Sequence, residues 1–255
     1  MKPERFPILE FDPARKAVIE PSEQIGPRDV PERCVPCFFQ DVIAGLIESG
    51  TAREVACMKS EMGRHPLYEI EAKGQRVAVY QPGITAAFAA AMLDEVIAYG
   101  CDRFIACGSA GVLDREIAVG HVIVPVSAVR DEGASYHYAE ASREIEPHPD
   151  AVAAIERVLG EHGVAYTAGK TWTTDGFYRE TPGKVALRRS EGCIAVEMEA
   201  AAFFAVARFR GVKFAQMLYG GDDVSGDDWD SRRWNGHGSV RENLFWLAAE
   251  AATLL

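Results

Sequence analysis

The sequence lacks the features that mark membrane, secreted and nucleic-acid-binding proteins. No stretch approaches the roughly 20 consecutive apolar residues of a membrane helix, and residues 1–6 lack the apolar core of a signal peptide. The 27 Lys and Arg residues are outnumbered by 38 Asp and Glu residues, and the net charge of −11 disfavours a surface that contacts nucleic-acid phosphates. We therefore expect a cytoplasmic protein that binds neither nucleic acid nor membrane.

Metal-binding and redox motifs are also lacking. Most of the six cysteines stand singly in apolar segments, which is typical of free buried thiols. Cys34 and Cys37 have CxxC spacing, but no second such pair and no nearby histidine pair completes a zinc set. We predict that this pair is structural and that the protein holds no metal and no organic cofactor.

What the sequence does contain is the pattern of a globular α/β protein. It has 255 residues, of which 48% are hydrophobic and 25% charged, enough for a sizeable core. Strand-like and helix-like segments alternate, which predicts one domain over residues 1–255 with three layers, α/β/α, around a central mixed, largely parallel sheet. Four prolines between residues 21 and 36 argue against a helix or central strand there. We expect residues 1–36 to form an extended arm and a proline-rich loop, with a short strand at 17–19.

Two carboxylates flank Met198 where an apolar segment, residues 200–207, begins. Such a segment predicts a buried helix, and acidic residues are rarely buried without a partner. In one interpretation both carboxylates complement the positive end of the helix dipole. In the other, Glu199 points into a pocket and accepts hydrogen bonds from a ligand rich in hydroxyl groups. This stretch alone leaves both interpretations open for Glu197 and Glu199.

Three predicted strand ends carry unusual residues. In α/β sheets, ligands bind beyond the carboxyl ends of strands, where this chain has Gly83, the turn 108–111 with Ser109, and Asp222. The turn is either a loop that holds an anion or ribose oxygen, or a plain tight turn. Asp222 is either an acid toward a leaving-group nitrogen or a turn residue, and Asp223 beside it leaves the assignment open by one position.

Aromatic residues and histidines offer further candidates. Phe177 and Tyr178 either stack on a planar base or pack in the core. Trp229 and Trp234 lie in an acidic loop, which indicates a subunit interface or a lid. The histidines at positions 65 and 137 are interpreted as structural or surface residues.

Four segments together resemble one enzyme family: VEMEAAA at 196–202, GSAG at 108–111, DGFY at 175–178, and the stretch 119–138. They are similar to the nucleoside phosphorylase superfamily of the uridine phosphorylase and hexameric purine nucleoside phosphorylase type. That superfamily also contains methylthioadenosine/S-adenosylhomocysteine nucleosidases. The resemblance covers about residue 53 to the C-terminus. It implies the nucleoside phosphorylase fold, a nucleoside and inorganic phosphate as substrates, and a homo-oligomer of two, three or six subunits.

The resemblance also implies roles for the base and ribose ligands. Met198 and Glu199 would hold the ribose, with Glu199 accepting hydrogen bonds from its 2′- and 3′-hydroxyls. Phe177 and Tyr178 would contact the base. Asp222 would also face the base and protonate it as it leaves, so Asp222 and Glu199 are the predicted catalytic residues.

The phosphate site implied by the resemblance is incomplete. Gly83, Ser109 and Arg64 are the expected ligands; Ser109 also contacts the ribose, and Arg64 reaches into a neighbouring subunit. Phosphorolytic members carry an arginine two residues before the Gly-Ser turn, where this chain has Ala106. They also carry a Gly-Asp-Pro-x-Arg loop after the first strand, which we assign to residues 20–25, where no arginine occurs.

These departures leave three functions open. The first is a nucleoside phosphorylase, which cleaves the N-glycosidic bond with phosphate to give free base and ribose 1-phosphate; an arginine at position 28, 33 or 64 would then replace the lost ligands. The second is a hydrolytic nucleosidase in which Glu20 or Glu23 activates water. The third is a nucleoside-binding protein without catalysis. Thr181 and Gly183 stand near the place of the family's uracil-reading Gln-x-Arg pair, so the base is open as well.

Overall fold

The computed structural model describes residues 3–255. This part of the chain contains seven α-helices and ten strands that belong to one mixed sheet. The strands are β1 (Arg33–Pro36), β2 (Arg53–Ser60), β3 (Gly63–Ala72), β4 (Gln75–Tyr80), β5 (Arg103–Val112), β6 (Val122–Asp131), β7 (Glu144–Ile145), β8 (Tyr166–Thr174), β9 (Cys193–Glu197) and β10 (Lys213–Asp223). The helices are α1 (Pro21–Gln24), α2 (Gln40–Glu48), α3 (Ala86–Tyr99), α4 (Pro149–Glu161), α5 (Pro182–Ser190), α6 (Ala200–Arg210) and α7 (Gly238–Thr253).

The sheet closes into a barrel. Strand β10 pairs with β5 in parallel and with β6 antiparallel, β6 continues to β8 and β9, and β9 returns to the end of β5. Strands β1, β4, β3 and β2 extend from the start of β5. The α/β class is confirmed, but the layered arrangement around a largely parallel sheet is wrong. The ring is closed, and five of the ten pairings are parallel and five antiparallel.

The N-terminal region also differs from the prediction. Pro21 begins the one-turn helix α1, at a position where the missing N–H costs nothing. Strand β1 lies between β4 and β5, in the interior of the sheet, although it contains a proline. This is possible because Pro36 is the last residue of β1, and the next N–H, of Cys37, donates to the Tyr80 carbonyl at 2.9 Å. Residues 17–19 have no strand structure.

Helices cover the sheet from two sides and build two large apolar clusters. Helices α3 and α6 contribute to one cluster, and α2, α4 and α7 contribute to the other. The first eight residues of α6 are buried, which confirms the predicted buried helix. Phe203 of α6 stacks on Phe214 of β10, with ring centroids 4.8 Å apart. Gly211, in the left-handed conformation with φ of 76°, ends the helix.

The cysteines are free thiols, and five of the six are buried. Burial raises the pKa of the Cys34 thiol and of the Cys107 thiol, which lies beside Cys37, well above the ordinary value. Thiolate chemistry is disfavoured at such sites. Within residues 3–255, no helix combines the length and the apolar character that crossing a membrane requires.

Candidate functional site

A cavity of about 830 Å³ opens where strands β5 and β10 end, beside the beginnings of α3 and α6. Seven of the eight residues that the sequence proposes for the site line this cavity: Gly83, Ser109, Phe177, Tyr178, Met198, Glu199 and Asp222. They come from five separate segments of the chain. Their convergence is a property of the fold, because nothing local in the sequence relates one segment to another.

Glu197 is tied to the start of α6. Its carboxylate accepts hydrogen bonds from the N–H groups of Glu199 and Ala200 at 2.7 and 2.6 Å and from the Thr173 hydroxyl at 2.6 Å. These bonds occupy the free donors of the helix N-terminus. Burial nevertheless raises the pKa of Glu197 to about 7. The helix-end interpretation therefore describes its geometry, although Glu197 belongs to β9 and not to the helix.

Glu199 has a different environment. It is only 6% exposed, yet it lines the cavity, and within the described chain its one side-chain hydrogen bond is from the Thr85 N–H to Oε1, at 2.7 Å. Burial, and next the nearby Glu197 carboxylate, raise the pKa of Glu199 to about 8. The Thr85 backbone has φ of 84°, a left-handed conformation that is strained for a β-branched residue. The carboxylate thus holds the start of α3 and keeps acceptor capacity for a ligand.

Glu199 is expected to make the ligand-free protein less stable as the pH rises. Between its ordinary pKa of 4.5 and its folded pKa of about 8, the folded protein holds a proton that the unfolded chain has released. The free energy of unfolding therefore falls across this window, by on the order of 2–5 kcal/mol. Denaturant unfolding at several pH values should show a smaller fall in Glu199→Gln. An unchanged pH dependence in this variant would show that another group binds the proton.

The mouth of the cavity is aromatic and acidic. Phe177 and Tyr178 are 51% and 87% exposed, with ring centroids 4.1 Å apart, so they do not pack in the core. Trp229 lines the same region, and its indole N–H donates to the Asp222 carboxylate at 2.7 Å. Burial and the neighbouring Asp222 raise the pKa of Glu180, another lining residue, to about 7. This end of the cavity offers flat rings and hydrogen-bond acceptors.

The structure separates the two adjacent aspartates. Asp222 faces the cavity, whereas Asp223 is buried and bonded to Arg232 at 2.6 Å and to the Ser225 N–H at 2.8 Å. Burial by itself would raise the pKa of Asp223. The hydrogen bonds from Ser225 and, next, the Arg232 charge outweigh burial, so the pKa lies below its ordinary value. Asp222 is therefore the aspartate in a position to meet a ligand, and Asp223 holds the acidic loop.

The opposite end of the cavity is built differently from the expected phosphate site. Gly83 has φ of 78°, and a Cβ there would stand 2.1 Å from the Phe88 ring, so a larger residue does not fit. The loop after the first strand follows β1, not residues 20–25 as assigned from the sequence, and it brings Phe38 and Phe39 to the cavity. Ala106 is fully buried and brings no charge to this end.

Arg241 of α7 is the one cationic side chain among the cavity-lining residues of the described chain. Its guanidinium lies 4.9 Å from the Phe39 ring centroid and donates to Asp41 at 3.0 Å, while its buried Nε has no partner within residues 3–255. Sequence reasoning missed this residue because it lies far along the chain from every motif. Its only local signal is a positive charge in the first turn of a helix, where the dipole disfavours it.

The other cations and acids proposed for the nucleophile lie outside this cavity. Arg64 bonds to Glu54 at 2.6 Å on the exposed strand pair β2–β3. Glu20 pairs with Arg210 at 2.9 Å, and Glu23 with Lys16 at 2.5 Å. His65 bonds to the Ser60 hydroxyl, and His137 is the exposed last residue of a short 3-10 helix; neither histidine lines the cavity. Arg28 stacks on Tyr99, and Arg33 begins β1. In the described chain, none of these groups lines the cavity.

A deep cavity at the strand ends of an α/β barrel, with a buried carboxylate in its wall and aromatic rings at its mouth, defines a small-molecule site. Residues 32–249 match a family model described as the phosphorylase superfamily, and the chain belongs to this superfamily. It is thereby placed among the enzymes that include nucleoside phosphorylases and nucleosidases.

Individual relatives are distant. A guanosine phosphorylase of Halorubrum lacusprofundi is 25% identical over 187 residues, which are 66% of this chain and 78% of that protein. A uridine phosphorylase of Treponema pallidum is 27% identical over 194 residues, 70% of this chain and 73% of that protein. Among solved structures, uridine phosphorylase from Vibrio fischeri has a TM-score of 0.72 and 23% identity, covering 89% of this chain and 92% of that chain. AMP nucleosidase from Bacteroides thetaiotaomicron has a TM-score of 0.69 and 22% identity, covering 88% and 87%. These structural likenesses show the fold alone.

Proposed function

We propose that the protein is a nucleoside phosphorylase, which transfers the ribosyl group of a nucleoside from its base to inorganic phosphate. One observation carries the proposal: a single cavity joins the Met198–Glu199 wall to Asp222 at the mouth and to Ser109 and Arg241. The wall suits a ribose, the mouth suits a base, and a hydroxyl with a guanidinium suits a phosphate. The names of the distant relatives, guanosine and uridine phosphorylase, agree with this assignment.

The reaction divides between the two ends of the cavity. A phosphate oxygen bonds to C1′ while the bond from C1′ to the base nitrogen breaks, through a transition state with positive charge on the sugar. Asp222 gives a proton to the departing base, which takes the bonding electron pair. Glu199 holds the sugar hydroxyls, so that C1′ is oriented between nucleophile and leaving group. Arg241 balances charge on the phosphate, and the Ser109 hydroxyl donates a hydrogen bond to it.

A hydrolytic nucleosidase is the second candidate, because the end of the cavity near Phe38 is aromatic and Ala106 brings no cation to it. The particular water-activating groups suggested by the sequence do not support it. Glu20 and Glu23 are both ion-paired elsewhere and neither lines the cavity. A hydrolase would need another base, and Glu199 with its pKa of about 8 is the nearest candidate.

A panel of purine and pyrimidine nucleosides incubated with and without phosphate tests the proposal. We expect base release that requires phosphate and yields ribose 1-phosphate in equal amount. Turnover that is unchanged when phosphate is omitted, with free ribose as product, would identify a hydrolase. Measurable binding without any turnover would support the non-catalytic alternative. The matched control is the same panel with Asp222→Asn, which keeps the cavity and lacks the proposed acid.

The proposed enzyme is a homo-oligomer. Within residues 3–255, the only ion pair of Arg64 is with Glu54 on the neighbouring strand β2, and its side chain is exposed, so it is available to a neighbouring subunit's phosphate site, as the family resemblance implies. Light scattering of the purified protein measures the number of subunits directly.

A further inference from the structure

Gln216 is a buried polar residue at the floor of the cavity. It lies in the middle of β10, is 1% exposed and lines the cavity. Its amide oxygen has no hydrogen-bond partner within the described chain. Rotating the amide by half a turn would place its NH₂ group, a donor, at the same unpartnered position. In either orientation, one polar group at the cavity floor lacks a partner, which is costly for a buried group.

The neighbouring strand explains why this amide reaches the cavity. Gln216 is in register with Ala106 in the parallel pairing of β10 with β5, so the two side chains lie on the same face of the sheet. Alanine is small, and it leaves room beside it for the longer glutamine side chain. The aromatic rings of Phe214 and Phe203 stack on the same side and offer no hydrogen-bond partner to the amide.

The position along β10 relates Gln216 to the leaving base. Asp222 follows six residues later on the same strand, about 20 Å away in an extended chain. A displacement at C1′ places the nucleophile on the face of the sugar opposite the base. With the base at Asp222 and the sugar at Glu199, the nucleophile lies on the side of the cavity floor. Within residues 3–255, Gln216 and Arg241 are cavity-lining residues with an unpartnered buried polar atom, and Gln216 is the neutral one of the two.

We propose that Gln216 binds the oxygen nucleophile of the reaction, which is inorganic phosphate if the proposed function is correct. Its amide is neutral and bonds at one point, so it orients the nucleophile through a hydrogen bond and not through charge. This assigns to Gln216 a specific part of the nucleophile site that Ala106 does not provide. The inference rests on the proposed function only for the identity of the nucleophile.

Steady-state kinetics of Gln216→Leu, with phosphate and nucleoside varied separately, tests this role. Losing one hydrogen bond should raise the KM for phosphate about tenfold, with the KM for the nucleoside essentially unchanged. Gln216→Glu, which places a negative charge at the floor, should raise it further. Met217→Leu is the matched control, since Met217 is the next residue on β10, is equally buried and does not line the cavity. Thermal unfolding verifies that each variant is folded. If a Gln216 variant does not fold, Gln216→Asn is measured in its place, because its side chain is one methylene shorter and withdraws the amide.

The outcomes separate the inference from the proposed function. A folded Gln216→Leu enzyme with an unchanged KM for phosphate overturns the role of Gln216, as does an increase confined to the KM for the nucleoside. Nucleoside cleavage by the wild-type protein without any phosphate requirement overturns the proposed function instead. In that case the nucleophile is water, and a tenfold lower kcat in Gln216→Leu supports the inference, whereas an unchanged kcat overturns it.

Discussion

Replacing Glu199 by glutamine is expected to lower kcat/KM for the preferred nucleoside by about 10²- to 10⁴-fold above about pH 8, where Glu199 is ionised, through the loss of two hydrogen bonds from sugar hydroxyls to a charged acceptor. The fold should survive, because glutamine can still accept the hydrogen bond that the Thr85 N–H donates to residue 199. Steady-state kinetics measures the loss, and a denaturant titration measures stability.

Met198→Leu is the matched control for Glu199→Gln. It changes the neighbouring lining residue but keeps its volume and apolar character, so activity should stay within about tenfold of wild type. Full activity in Glu199→Gln would remove the ribose-binding role from Glu199. An equal loss in both variants would point to a general disturbance of the cavity wall.

Asp222→Asn is expected to lower kcat for purine nucleosides by about 10²-fold or more, the usual contribution of a positioned acid. Pyrimidine nucleosides should lose much less, because a departing purine accepts a proton on a ring nitrogen that pyrimidines lack at the equivalent place. The indole N–H of Trp229 can bond to the asparagine side-chain oxygen, so the loop should keep its position. Rates on matched purine and pyrimidine nucleosides measure the difference.

Asp223→Asn is the control for Asp222→Asn. Asp223 is bonded to Arg232 and Ser225 inside the loop, so its substitution should lower thermal stability and leave the purine-to-pyrimidine ratio unchanged. Equal losses on both classes of nucleoside in Asp222→Asn would exclude proton donation to the base. A changed ratio in Asp223→Asn would mean that the two aspartates have been assigned in the wrong order.

The features that the sequence predicts well are local. The buried helix α6 follows from an apolar segment that no surface helix would carry, and it is found as predicted. The seven cavity residues come from segments that lie near strand ends or a helix start and that carry the family resemblance. Their roles in binding and catalysis remain predictions. The predicted turn at 108–111 is wrong, because these residues continue β5 and Ser109 lies within that strand.

The features that the sequence does not predict depend on contacts between distant segments. Closure of the barrel requires β10 to pair with β5 and β6 together, and no periodicity in one strand encodes its second neighbour. Arg241 reaches the cavity through a bond to Asp41, 200 residues earlier in the chain. In the sequence, Gln216 is an ordinary polar residue in an apolar strand. Its place beside Ala106 follows only from the register between β10 and β5.

Barrel closure also determines where the protein is exposed to unwanted association. The five strands of the ring use their neighbours on both sides, whereas β2, at the end of the extension, has a long edge with no neighbouring strand in the described chain. That edge carries the charged residues Arg53, Glu54 and Lys59, and a bulge lies between Glu54 and Ala56. Charges and bulges on an edge strand oppose its pairing with another chain. The topology that encloses the cavity thus leaves β2 as the one long free edge of the described sheet, beside the two-residue strand β7, and β2 is protected.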